Sequence, residues 1–140
     1  MIAVEGLLPV ASAEKNGLVH KNVAYNSFNM PNYIDFPNMM SKLSLPYYFN
    51  CFISISANGT FPTLYLISKA GKAIHVKLIY NPNINSFNVK FKIDADGYLY
   101  MSKRFGGMSE NIVPVLSTGQ YSVVASVDIS SLALTDITVE

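Results

Sequence analysis

Hydrophobic and polar positions alternate along most of residues 47–140. The clearest case is residues 87–93, where Lys90 and Lys92 separate apolar side chains. A period of two is typical of a strand with one buried face. The positions predicted to face inward are Phe49, Cys51, Ile53, Ile55, Ile74, Val76, Leu78, Tyr80, Phe87, Val89, Phe91 and Ile93, and Leu64 and Leu66 are predicted to share one side of the strand after residue 60.

Turn-forming residues separate these runs and predict how they connect. Asp94–Gly97 ends in Asp-Gly between two alternating runs, which is a strong hairpin signal because Gly adopts a positive φ without strain. We expect Asp94 and Asp96 to stabilise this turn by side-chain hydrogen bonds to backbone amides. Pro114 lies inside a strand-like run and predicts an edge strand or a bulge. Seven or eight short strands therefore predict an all-β fold, an antiparallel β-sandwich or jelly-roll-like head.

The chain divides into three parts. Residues 1–30 are predicted to form an extended N-terminal arm, residues 31–46 carry three of the seven prolines and are predicted to be a linker, and residues 47–140 are predicted to form the β-sandwich head domain. The first residues lack the positive charge of a signal peptide, and no run reaches the ~18–20 apolar residues of a membrane helix. We therefore expect no membrane insertion.

Composition adds a hint of assembly. Charged residues make up 14% of the chain, whereas an ordinary soluble domain has about 25%. An oligomer that buries part of each subunit would need fewer charges. The alternative is a compact monomer covered by Asn and Ser, which together number 28. The net charge of +1 and the scattered basic residues offer no face for nucleic acid.

Candidate chemistry is sparse, so we expect no enzyme, no catalytic residue, no cofactor and no metal site. His20 and His75 have no Cys or carboxylate at a ligand-like spacing, and Cys51 lies in an apolar run typical of a buried inert thiol. Asp94 and Asp96 lack the further oxygen ligands of a calcium loop. A glycosidase that pairs two carboxylates distant in sequence stays open as a weaker alternative.

A binding surface is a stronger candidate. The loop Ser102–Asn111 combines charges with apolar side chains, a mixture enriched at interfaces. Its surface-contact candidates are Lys103, Arg104, Phe105 and Met108. The alternative for Phe105 is a side chain that folds back into the core.

Two segments resemble fibre proteins of tailed phages. Residues 9–21 are similar to a Gly-Leu-Val segment found at junctions between trimeric fibre modules, with Ser12, Glu14 and Lys15 where that segment is Thr-rich. The second resemblance, to the β-rich C-terminal head of fibres from phages of gut anaerobes, covers about half the chain. Its matching segments are Leu64–Ser68, Gly71–Ala73, Ile74–Tyr80, Val89–Ile93, Asp94–Gly97 and Tyr98–Tyr100.

The resemblance implies a homotrimeric structural protein of the virion, assembled in the host cytoplasm. It would be a short fibre, a head or tail fibre, or a decoration subunit, with other capsid or tail proteins as partners. A receptor-binding adhesin that recognises host-surface polysaccharide is the alternative. The arm is then the expected anchor, with assembly candidates Leu7, Leu8, Ala11, Gly17, Leu18 and Val19.

Overall fold

Two five-stranded antiparallel sheets make up the computed structural model, which describes residues 26–83 and 88–140. The strands are β1 (Asn26–Phe28), β2 (Met39–Ser44), β3 (Tyr48–Ala57), β4 (Thr63–Ala70), β5 (Ala73–Tyr80), β6 (Val89–Ile93), β7 (Leu99–Lys103), β8 (Met108–Ser117), β9 (Ser122–Asp128) and β10 (Thr135–Asp136). Sheet A has the order β1–β8–β3–β4–β5, and sheet B has the order β10–β6–β7–β2–β9. The predicted all-β sandwich is confirmed.

The alternating runs place their apolar faces between the two sheets. In β3, Phe49, Cys51, Ile53 and Ile55 are all buried, as predicted. Burial raises the pKa of the Cys51 thiol to about 12, which leaves it protonated and unreactive near neutral pH. Across the core, the rings of Tyr65 and Phe91 meet edge to face with centroids 5.2 Å apart, a favourable geometry for aromatic pairs.

The inward prediction was wrong at the end of β5. Leu78 and Tyr80 are 37% and 56% exposed, although Ile74 and Val76 are buried. The pairing of β5 with β4 shifts between Leu64 and Tyr65, so that Leu64 faces Tyr80 and one residue of β5 is extra. This bulge moves Tyr80 into the outward phase, whereas Leu78 precedes the bulge, faces the buried Tyr65 in the inward phase, and is exposed because β5 is at the end of the strand order of sheet A. Phe87 lies outside the described residues.

The predicted linker, residues 31–46, is part of the folded body. It contains β2, which lies between β7 and β9 inside sheet B. Met40 and Leu43 of this strand are buried. The prolines at 31, 37 and 46 stand outside the strand, where a missing amide donor removes no ladder hydrogen bond. The boundary between linker and head at residue 47 is therefore corrected.

The hairpin predicted at Asp94–Gly97 joins β6 to β7, and Gly97 has a φ of 90°. Asp94 Oδ1 accepts hydrogen bonds from the amides of Asp96 (2.9 Å) and Tyr98 (3.0 Å), while Oδ2 accepts one from the Tyr100 hydroxyl (2.8 Å). Asp96 contributes its amide to this network. Pro114 was predicted to mark an edge strand or a bulge. The bulge is confirmed, because β8 is an interior strand that carries a bulge opposite Cys51.

The outer face of sheet B is covered by the chain itself. Residues 129–134 connect β9 at one edge of this sheet to β10 at the other, so they must cross it. Met40 and Tyr100 point away from the intersheet core yet are 2% and 1% exposed, which indicates that the crossing lies over the outer face. No described segment crosses the outer face of sheet A in this way. The two faces of the sandwich are therefore unequal.

Candidate assembly face

The outer face of sheet A is a grid whose rows follow from the strand register. From β8 to β5, its three central rows are Leu116, Asn50, Ser68 and His75; Val113, Phe52, Leu66 and Lys77; and Asn111, Ser54, Leu64 and Tyr80. We call these twelve positions the assembly face. Each position alternates with buried core residues along its strand, so its side chain points outward, away from the core.

Apolar side chains form a diagonal band across the assembly face. The band contains Leu116, Val113, Phe52, Leu66, Leu64 and Tyr80. Leu116 and Tyr80 at its two ends are 54% and 56% exposed. Apolar patches of this kind on a soluble protein usually mark sites of protein–protein contact.

The rim of the band is polar but almost free of charge. Asn and Ser side chains flank it, and Lys77 is the one Lys, Arg, Asp or Glu in the three rows. Sheet B differs, because Lys42, Lys90 and Lys92 all project from its outer side next to Tyr100 and Ser102. Interface centres are depleted of charge relative to the remaining surface. Sheet A therefore has the charge-poor composition of an interface, whereas the outer side of sheet B carries three lysines around its covered centre.

The size of sheet A is sufficient for a stable contact. Strands about 4.8 Å apart with a rise of about 3.3 Å per residue give a five-stranded face of roughly 20 by 30 Å. That projection is of the same order as the ~800 Å² per partner that stable interfaces bury.

Sequence reasoning missed this face, although a signal for it exists. Phe52, Leu64 and Leu66 stand in the solvent-facing phase of their strands, where alternation predicts polar residues. Apolar residues in the wrong phase of an otherwise regular strand indicate that both faces are covered.

The surface-contact candidates at the β7–β8 connection separate into two groups. Lys103 and Met108 are each 4% exposed, so the expectation that they lie on the surface is corrected. Phe105 is 46% exposed, with the Arg104 guanidinium 5.0 Å from its ring centroid, and it does not fold back into the core. Of the four candidates, Arg104 and Phe105 are therefore the two that can contact a partner.

Lys103 is buried because Glu110 neutralises it. Its ammonium donates to both carboxylate oxygens of Glu110, at 2.9 and 3.1 Å, and to the Met108 carbonyl at 3.0 Å. Glu110 Oε1 also accepts the Met30 amide at 2.8 Å. Burial raises the pKa of the Glu110 carboxyl, while the Met30 amide and Lys103 act in the opposite direction. The pair is enclosed by protein and serves as a structural tie.

Other residues singled out from the sequence show no chemical constellation. His75 lies on the assembly face with Glu140 3.2 Å from its Nδ1, a pair exposed to solvent. Within residues 26–83 and 88–140, no three His, Cys, Asp or Glu side chains group as metal ligands. The same ranges contain no helix long and apolar enough to cross a membrane. The six assembly candidates of the N-terminal arm, from Leu7 to Val19, and His20 lie outside the described residues.

Comparison with known proteins adds no relative. No protein-family model, curated protein or solved structure matches the chain significantly. Its function is therefore argued from the geometry of the assembly face and from the sequence resemblance.

Proposed function

We propose that the chain is a non-enzymatic structural subunit of a tailed-phage virion that acts by assembling into a homotrimer. The observation that supports the assembly is the charge-poor apolar face of sheet A, which no segment of residues 26–83 and 88–140 crosses. The resemblance of the head to phage fibre heads supplies the setting. The subunit would be a short fibre, a head or tail fibre, or a decoration protein, located in the virion after assembly in the host cytoplasm.

A trimer can use this face by turning three copies of sheet A toward a common axis. Closed cyclic symmetry then covers the same patch on every subunit and leaves no free apolar face. Sheet B, with its lysines, would form the outside of the assembly. Other capsid or tail proteins would be contacted by the part of the predicted N-terminal arm that precedes β1, since β1 (Asn26–Phe28) is a strand of sheet A and Met30 is buried, which corrects the predicted end of the arm at residue 30.

Light scattering on a size-exclusion column tests the assembly. We expect the protein to have the mass of three chains of 15.4 kDa each. Val113→Lys places a charge in the middle row of the assembly face and should weaken the trimer by at least about tenfold in its dissociation constant, since burying an unpaired charge costs several kcal/mol. A wild-type protein that stays monomeric at every concentration would refute the proposal.

Val124→Lys is the matched control. Val124 is also an exposed strand valine, at 49%, but it lies on β9 in sheet B. Its substitution should leave the mass unchanged. Circular dichroism of both variants checks that the strands are intact. If both variants lost the trimer to the same extent, the assignment of the assembly face would be contradicted.

A receptor-binding adhesin is the second candidate, favoured by the exposed Phe105 with Arg104 against its ring. Exposed aromatic and guanidinium groups are enriched among residues that dominate binding. Phe105→Ala should abolish binding on a host-surface glycan array if the loop contacts polysaccharide.

A further inference from the structure

An open hollow lies between the segment that follows β1 and the edge strand β9. Its volume is about 440 Å³, within the range of small-molecule sites. Asn29, Met30, Asn32 and Phe36 line one side, and Ser126 of β9 lines the other. None of these residues belongs to the assembly face, so the hollow is a separate feature of the molecule.

Asn32 is the central polar group of the hollow. The residue is 9% exposed, and its Oδ1 accepts the Asp35 amide at 2.8 Å, which holds the side-chain amide in place. Its Nδ2 donates to no partner among the described residues, and it lies 3.5 Å from the position that a Cβ on Gly106 would occupy. Gly106 also lines the hollow. Nδ2 is not one of the buried unpaired polar atoms of the described residues, so it reaches the open side of the hollow and is available to a ligand.

The remaining lining is amphipathic. Asn29 and Ser126 line it with exposed polar side chains. Phe36 is 54% exposed and presents an aromatic surface, while Met30 is 2% exposed and apolar. The hollow thus combines an aromatic ring with donors and acceptors of neutral polar groups.

The hollow offers no net charge. Lys103 lines it, but both carboxylate oxygens of Glu110 already accept its ammonium protons. An anionic ligand would find no free cation there, and a cationic one would find no free carboxylate in the lining. The lining therefore favours an uncharged ligand.

We propose that this hollow binds a neutral saccharide unit. A pyranose ring has an apolar C–H face that packs on an aromatic side chain, and hydroxyls that pair with amide and hydroxyl groups. Phe36 contacts the C–H face, while Asn29, Asn32 and Ser126 bond the hydroxyls. The inference goes beyond assembly through sheet A and does not depend on the oligomeric state.

Titration of the full chain with sugars, followed by amide NMR shifts, tests the proposal. The probes are the methyl glycosides of glucose, galactose, mannose and N-acetylglucosamine, with glucuronic acid as the charged comparison. At least one neutral probe should saturate with a dissociation constant on the order of 1 mM, shifting amides of residues 29–36, 106 and 125–126. Glucuronic acid should bind more weakly than the best neutral probe.

Two pairs of variants separate the hollow from general effects. Phe36→Ala should weaken binding at least about tenfold, whereas Phe61→Ala, at a phenylalanine that is 67% exposed elsewhere, should not. Gly106→Ala places a methyl group beside Asn32 Nδ2 at ordinary contact distance and should weaken binding. Gly119→Ala, whose Cβ would meet Pro46 at 3.8 Å, should leave it unchanged.

The proposal is overturned if no neutral probe saturates, or if the shifts map to other residues. It is also overturned if Phe61→Ala reduces affinity as much as Phe36→Ala. Because the mass is measured on the same samples, a failed sugar titration is distinguishable from a failure to form the trimer.

Discussion

At the scale of single residues, the buried ion pair of Lys103 and Glu110 is the contact that most strictly requires both partners. The side chains are 5% and 0% exposed, and all of their strong hydrogen bonds are made inside the protein. Two buried charges stabilise little compared with apolar side chains of similar size, but the loss of one leaves the other unpaired. The pair ties β7, β8 and Met30 into one arrangement.

Glu110→Gln is therefore expected to lower the free energy of unfolding by about 3–5 kcal/mol, because the Lys103 ammonium loses its counter-ion. Urea denaturation measures the change. Asp136→Asn breaks the exposed Lys92–Asp136 pair, in which the aspartate side chain is 82% exposed, and should cost no more than about 1 kcal/mol. Similar losses of unfolding free energy in both variants would show that burial of an ion pair does not determine the cost of breaking it.

A second residue-scale prediction concerns Asp94. Burial alone would raise its pKa, but hydrogen bonds from Tyr98, Tyr100 and Asp96 lower the pKa below the ordinary 3.8. A carboxyl whose pKa is depressed in the folded state stabilises the fold above the unfolded pKa, and this stabilisation is lost as pH falls through the folded value. Asp94→Asn should therefore destabilise the protein at pH 7 and have a smaller effect near pH 2. Thermal unfolding at both pH values provides the measurement, and an equal effect at both would contradict it.

At the scale of elements, the turns at one end of the sandwich hold the sheets together. Gly97, in the β6–β7 turn of sheet B, approaches Lys72 in the β4–β5 turn of sheet A. A Cβ on Gly97 would lie 3.0 Å from Lys72 Cα. This approach needs glycine for lack of space as well as for its φ of 90°.

Gly97→Ala is thus expected to be more destabilising than Gly59→Ala. Both have positive φ, but nothing lies within 4 Å of a Cβ on Gly59. The conformational strain alone costs about 1–2 kcal/mol, and the collision with the backbone of Lys72 adds to it. Chemical denaturation of the two variants gives the comparison, and equal losses would exclude a role for the contact between the turns.

At the scale of the whole molecule, the two outer faces differ in how far the described chain covers them and in their charge. Residues 129–134 cross sheet B, and lysines surround the crossing, whereas the apolar band of sheet A has no cover among the described residues. Association through sheet A would be driven by the removal of apolar surface from water rather than by ion pairs.

The proposed trimer should accordingly be insensitive to salt. Raising the ionic strength from about 0.05 to about 1 M shortens the Debye length several-fold, which screens surface charges. With one Lys in the three rows, we expect the dissociation constant to change by less than about threefold, measured by analytical ultracentrifugation. A trimer that dissociates at high salt would place the contacts on a charged face instead.

The candidate site could be predicted from the sequence only in part. The low charge content suggested oligomerisation, which stays a prediction, and Phe52 within β3 was a local signal of the apolar band that sequence reasoning missed. That Val113, Phe52 and Leu66 form one row depends on the pairing of β8, β3 and β4. Likewise Lys103 looked exposed, because nothing near it in the sequence shows that Glu110 folds back beside it.

The sequence by itself determined the strands, most of their inward faces and the hairpin at Asp94–Gly97, because side-chain alternation and turn chemistry act between neighbours in the chain. The tertiary structure decided that residues 31–46 supply a strand of sheet B, that the described part of the chain leaves the outer face of sheet A uncovered, and that a hollow opens beside β9. These features depend on contacts such as Leu43 with Val123 and Ser41 with Met101. No local pattern encodes which strands become neighbours, since that choice is made by packing the whole core at once.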